Sequence, residues 1–324
     1  MVAMDVLIVG AGALGQVYGA ELARGTATIS YLVKPRQAAQ LRDGVTVTRL
    51  HRTRGPATTT LKPARVYTDP AAVADTGWHS VWLMVDSTAL HGTWLRSLRE
   101  AVGDSTVVAF DQSLGDRPAL AAEWPEDQLV ALTVGVLAWA GPLGAERHDH
   151  TAYYRPPGGA TILAGKPDRV TPLRDALEAA RTPARTGRVG AGPALAAQNV
   201  PYLAALEIAG WSMNALRADT ATAAEAAFEA ATIVAAERGL PAPPHRWALD
   251  RRMRATLRIL PVLAPFDVET FWRVHCTKIG PQTRTMLRDW AEAGERRGLP
   301  TTGLRALAAA MPPLATQRSQ PETM

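Results

Sequence analysis

The chain opens on a short apolar run, Val6-Leu7-Ile8-Val9, that stops at glycine. Similar runs recur at residues 28–33, 80–85, 106–110, 128–136 and 160–164. Apolar residues at consecutive rather than alternate positions suit strands buried on both faces. Helical stretches at 15–24, 89–102 and 117–122 lie between several of the runs. Residues 45–47 and 57–61 flank Arg54-Gly55-Pro56 and predict a short hairpin. Strands that alternate with helices predict a parallel sheet covered on both sides. After Gly165 the pattern changes. Residues 170–180 read as a helix and 181–193, rich in Pro, Gly, Thr and Arg, as a linker. Beyond it the spacing is helical throughout, at 194–216, 220–238, 245–257, 268–277 and 281–297. Pro281 suits the first position of the last of these and Gly298 the residue just past its end. Residues 311–324 read as a frayed polar tail. The expected fold class is α/β: a parallel-sheet domain over 1–188, then an all-helical domain over 189–324.

The first strand runs directly into Gly10-Ala11-Gly12-Ala13-Leu14-Gly15, a G-x-G-x-x-G spacing between a strand and a helix. Gly10 would permit the tight turn, Gly12 the close approach of a pyrophosphate, and Gly15 close packing of helix on strand. The helix N-terminus would offer unpaired amides to the phosphates. This is the context of a Rossmann-type dinucleotide site. A carboxylate after the second strand would hold the ribose hydroxyls of NAD. The chain has Lys34-Pro35-Arg36 there instead, with Lys34 19 residues after Gly15. Two cations and no acid suit a 2′-phosphate, so NADPH is the expected cofactor.

Composition narrows the picture. Of 324 residues 47% are hydrophobic and 20% charged, as in a chain that buries real cores. The net charge of +5 and the absence of any long Lys/Arg run argue against a nucleic-acid partner. Only Lys34, Lys62, Lys166 and Lys278 are lysines, so arginine supplies the basic charge. The single cysteine, Cys276, leaves no internal disulfide and no thiolate metal cluster. No signal peptide or membrane span is read, and a cytoplasmic protein is expected. His148-Asp149-His150 lacks a third ligand at a metal spacing and is expected in a solvent-exposed loop, so no metal site is predicted.

Four segments together resemble ketopantoate reductase, over most of the chain. They are Ile8–Gly15, the cation at Lys34, the stretch Gly158-Gly159-Ala160-Thr161-Ile162-Leu163-Ala164-Gly165, and Arg297-Gly298-Leu299-Pro300. The resemblance implies a Rossmann-type NADPH domain followed by a helical domain like that of 6-phosphogluconate dehydrogenase, with a small substrate between them. It also aligns positions that depart from the family pattern. Asp86 stands where the family has a lysine, and Gln112 where it has an asparagine beside the nicotinamide. Gln198 stands in place of the proton-donating lysine and Gln282 in place of a glutamate. The asparagines that follow in the family would fall near Tyr202 and Leu206. Ala140 completes the implied cofactor contacts.

With the family's acid missing, Lys278 becomes the candidate proton donor or carboxylate partner. His275, three residues earlier on the same helical face, is the next candidate, and Tyr202 a third. Glu207 is either a partly exposed carboxylate or a buried functional one. The expected activity is NADPH-dependent reduction of a ketone or imine, with Gln112, Gln198 and Gln282 orienting the substrate. The alternatives are an NADPH-binding homologue without catalysis and an opine-type dehydrogenase using His275. A homodimer through the helical domain is expected. The Ala-rich stretch 220–238 could pack within the domain or across the dimer.

Overall fold

The computed structural model describes residues 4–314. The N-terminal half holds β1 (Met4–Val9), α1 (Ala13–Ala23), β2 (Ala27–Leu32), α2 (Pro35–Asp43), β3 (Val45–Leu50), β4 (Ala57–Leu61), β5 (Val66–Tyr67) and β6 (Ser80–Leu83). There follow α3 (Trp94–Val102), β7 (Thr106–Phe110), α4 (Asp116–Ala121), β8 (Leu129–Thr133), β9 (Leu137–Gly141), β10 (His150–Tyr154), β11 (Thr161–Ala164), α5 (Pro167–Ala179) and β12 (Ala184–Thr186). The remainder is helical: α6 (Ala191–Ile208), α7 (Met213–Ala218), α8 (Ala221–Arg238), α9 (Arg246–Leu263), α10 (Val268–Lys278), α11 (Gly280–Arg296) and α12 (Thr302–Ala310).

An eight-stranded sheet runs β12-β11-β8-β7-β6-β1-β2-β5, parallel except where β11 meets β8. Its strands are apolar on both sides because both sides are covered. Val6 and Ile8 pack with Tyr18, Leu22, Val170 and Leu177 beneath α1 and α5, while Leu7 and Val9 pack with Leu95, Leu98 and Leu120 beneath α3 and α4. Adjacent residues of one strand thus enter opposite cores.

The structure adds a second sheet that the sequence reading lacked. Its order is β4-β3-β10-β9, and it lies against α1. The predicted hairpin is half of it. His150 is therefore not in a loop: it opens β10, opposite Gly141. Three further corrections have local causes. The 181–193 segment contains β12, which extends the main sheet beside β11. The helix expected over 194–216 breaks after Ile208, where Gly210 and Trp211 both adopt positive φ, and resumes at Met213 under a Ser212 cap. Two helices were not anticipated, α2, in which just Ala38 and Leu41 are buried, and α12.

In the helical domain α8 is the axis. Its alanines 223, 224, 226, 227, 230 and 231 are buried, which lets α6, α11 and α12 approach closely. The stripe of alanines is used within the domain. Buried Glu229 on α8 accepts from the backbone N–H groups of Gly303 and Leu304, placing a carboxylate on the positive end of α12.

Candidate cofactor and substrate site

The turn after β1 is shaped by two glycines and left open by a third. Gly10 has φ +92°, and a Cβ there would sit 2.9 Å from the Met84 carbonyl oxygen. A Cβ on Gly15 would lie 2.2 Å from the Gly10 oxygen. A Cβ on Gly12 would meet nothing within 4 Å, so space remains over that residue. Gly12 also caps α1 without a side-chain hydrogen bond, which leaves the first-turn amides of Ala13, Leu14 and Gly15 free of a side-chain acceptor. Gln16 steadies the turn. Its amide nitrogen donates to the Ala11 carbonyl at 2.9 Å, and its amide oxygen accepts from the Thr151 hydroxyl at 2.7 Å. Thr151 pairs with Ala140 in the second sheet, so this sheet positions both α1 and the strand that carries Ala140.

At the end of β2, Lys34 caps α2 and Arg36 stands in its first turn. Both are exposed, and among the described residues neither forms an ion pair. Two cations on the positive end of a helix concentrate positive potential there. The residues therefore fit a dinucleotide: an open glycine turn for the pyrophosphate, beside a corner where two cations stand without a carboxylate partner among the described residues.

The ends of β6 and β7 form the floor nearer the helical domain. Asp86 spends its carboxylate on local structure, accepting from the backbone amides of Thr88 and Ala89. Beside it, Gln282 of α11 donates to the Ser87 hydroxyl at 3.1 Å, a direct tie between the two domains. Gln112 follows β7, and its backbone N–H is held by Asp116 at 2.9 Å. The residue before it, Asp111, is one that the sequence reading gave no role. Its carboxylate is buried and faces Arg238 of α8 at 3.5 Å, close enough for an ion pair but not aligned for a hydrogen bond. Burial pushes its pKa up to about 6, against the lowering effects of Arg238 and Arg117.

The helical-domain candidates divide into two groups. His275 and Lys278 lie together on α10. The imidazole stacks on Phe271 with ring centroids 5.3 Å apart, and Phe271 belongs to an aromatic cluster with Trp139, Phe266 and Trp272 that joins β9 to α10. Burial first, and the Lys278 charge second, hold His275 below its ordinary pKa. Lys278 itself is exposed at the C-terminal end of α10. Gln198 is elsewhere engaged, accepting from Arg252 of α9 at 2.9 Å.

Three other side chains have uses within the helical domain. Tyr202 is buried among Ala223, Ala224 and Ala227; desolvation raises its phenol far above the ordinary value, which disfavours its ionisation. Glu207, partly buried, pairs with Arg284 at 2.7 Å. Cys276 is buried, with its thiol pushed up to about 12 by desolvation, so it is no nucleophile. Among the described residues no group of three His, Cys, Asp or Glu side chains could hold a metal ion, and no helix is long and apolar enough to cross a membrane.

Residues 6–151 match the family model described as ketopantoate reductase PanE/ApbA. No curated protein matches the chain. Among solved structures the chain is similar to a PanE/ApbA family ketopantoate reductase from Ralstonia eutropha, at 20% identity and a TM-score of 0.74, over 94% of this chain and 96% of that one. It is also similar to 2-dehydropantoate 2-reductase from Methylococcus capsulatus, at 18% identity and a TM-score of 0.68, over 94% and 95%. A third similar structure is D-mandelate dehydrogenase with NADH and anilino(oxo)acetate, at 14% identity and a TM-score of 0.70, over 95% and 96%. At these identities the likeness is one of fold.

Proposed function

Because residues 6–151 match the family model of ketopantoate reductase PanE/ApbA, we propose that the chain is an NADPH-dependent reductase of a small keto or imine substrate held between its two domains. The observation that carries this reading is the open turn over Gly12 next to Lys34 and Arg36, which have no ion-pair partner among the described residues. The turn amides would hold the pyrophosphate, and Lys34 and Arg36 the 2′-phosphate. NADPH, when bound, supplies the hydride.

The chain's own residues bind and position. Gln112, at the end of β7, and Gln282, reaching from α11 to Ser87, orient the substrate by hydrogen bonds. Lys278 offers an exposed ammonium to a substrate carboxylate or to the oxygen or nitrogen being reduced. His275 acts as a neutral imidazole, since its surroundings disfavour the cation. Gln198 turns toward substrate only by releasing Arg252. An imine fits this site because an already protonated C=N asks less of an enzyme acid. The subunits are proposed to pair through the helical domain, where Trp247, Ile259 and Val262 of α9 are exposed; light scattering on the purified protein checks it.

The test has two steps. Fluorescence titration should show NADPH bound more tightly than NADH, and the reverse order overturns the cofactor assignment. NADPH oxidation is then followed with ketopantoate, other 2-oxo acids and cyclic imines. A second reading, cofactor binding without catalysis, draws on the capping role of Asp86, which leaves no cation where the family has a lysine. Tight NADPH binding with no turnover on any of these substrates would select it.

A further inference from the structure

The far end of α1, capped by Arg24, meets a second concentration of positive charge. The N-terminal end carries the glycine turn. About 16 Å away, at 1.5 Å per residue, the other end of α1 enters a cavity of about 310 Å³ beneath the second sheet, lined by Glu21, Arg24, Arg49, His51, Tyr153 and Arg181. A neighbouring cavity of about 500 Å³ shares Arg49 and adds Arg155, Glu178, Arg185 and the turn Pro156-Pro157-Gly158-Gly159. Five guanidinium groups thus face two carboxylates.

The charges are not compensated from within. Glu21 is fully used: it pairs with Arg155 at 2.7 Å and Arg24 at 3.4 Å and accepts from the hydroxyls of Tyr153 and Thr182. Glu178 lies 3.9 Å from Arg174. Among the described residues Arg49, Arg181 and Arg185 form no ion pair or side-chain hydrogen bond. The side chain of Arg155 is 5% exposed, yet its Nε and Nη1 have no hydrogen-bond acceptor in the protein. The Nε of Arg49 is likewise buried without one. A buried guanidinium N–H without an acceptor has lost its water with nothing in exchange, and a bound oxyanion would supply the missing acceptor. Arg181 adopts a left-handed backbone, φ 57°, where α5 ends: its N–H returns to Glu178 and that of Thr182 to Leu177.

We propose that this double cavity is a second anion site, one that takes a small multivalent phosphate of the diphosphate class. Guanidinium forks match phosphate oxygens in pairs. Arg49, common to both lobes, would bridge the two phosphate groups, with Arg155 and Arg185 on one side and Arg24 and Arg181 on the other. The site is separate from the dinucleotide turn and does not depend on the reductase reading.

The experiment is calorimetric titration of the full chain with inorganic pyrophosphate at low salt, NADPH being saturating and, separately, absent. One pyrophosphate should bind with NADPH saturating and at least one without it, and more weakly as salt rises. Arg49→Ala should weaken it about tenfold or more, with partial rescue by Arg49→Lys. Arg181→Gly removes a cation while relieving the backbone strain, so it should weaken binding with no loss of thermal stability. Gly12→Asp, which opposes phosphate at the dinucleotide turn, should leave pyrophosphate binding intact. Binding abolished by NADPH or by Gly12→Asp would overturn the proposal by assigning the anion to the cofactor site. So would no binding at all, binding indifferent to Arg49→Ala, or citrate bound more tightly than pyrophosphate.

Discussion

Asp111 shows how one buried carboxyl can tie stability to pH. Its pKa is raised from 3.8 to about 6, burial being the main cause. A carboxyl raised on folding stabilises the fold fully below its unfolded value and loses that contribution as pH climbs through the folded one. The unfolding free energy of the unsubstituted protein, from denaturant titration, should therefore fall between about pH 4 and pH 6 relative to Asp111→Asn, by up to about 3 kcal/mol. Parallel profiles for the two proteins would refute it. At the cofactor corner the double variant Lys34→Glu, Arg36→Glu should weaken NADPH binding by about tenfold or more while NADH binding changes less, read by fluorescence titration. Candidates such as Lys34 and Gly12 were legible because chain position places them: one ends the second strand and the other follows the first. Asp111 was not, since its burial is a property of the fold and its charge partner Arg238 lies more than a hundred residues away. Nor did the sequence reveal that Asp86 and Gln198 already have partners.

Between neighbouring elements, the glycine turn separates folding from binding. Gly12→Ala has room for its methyl and should leave the melting temperature unchanged while weakening NADPH binding. Gly15→Ala drives a methyl onto the Gly10 carbonyl and should cost about 1–3 kcal/mol in stability; thermal melts and cofactor titrations on the two variants distinguish the effects. Strands of the main sheet were legible because burial on both faces makes them continuously apolar. The second sheet was harder. Between β9 and β10 lie Glu146, Arg147, His148 and Asp149, which read as loop, and β10 finds its parallel partner in β3, far back in the chain. The helix α2 escaped because it is mostly exposed and shows too little apolar stripe to mark a period.

The two halves of the molecule are tied by Gln282 on Ser87, Arg238 on Asp111 and on the Ser113 and Leu114 carbonyls, Tyr154 on the Leu263 carbonyl, and the aromatic cluster around Phe271. Phe271→Ala should cost about 3–5 kcal/mol by denaturant titration. It should also return the His275 pKa toward its ordinary value, which NMR titration of the ring would report, because the burial that depresses it is relieved. The pairing of β3 with β10 matters in time as well as in space. Val47 waits for Thr151, and at roughly 5–20 residues synthesised per second the wait lasts roughly 5–20 s. Throughout it, the β3–β4 hairpin has left the ribosome with one edge open, and the outer face of α1 has no lid. An open strand edge recruits other strands. A message that pauses the ribosome before residue 150 would lengthen that exposure, so translation speed over this stretch bears directly on the yield of folded protein.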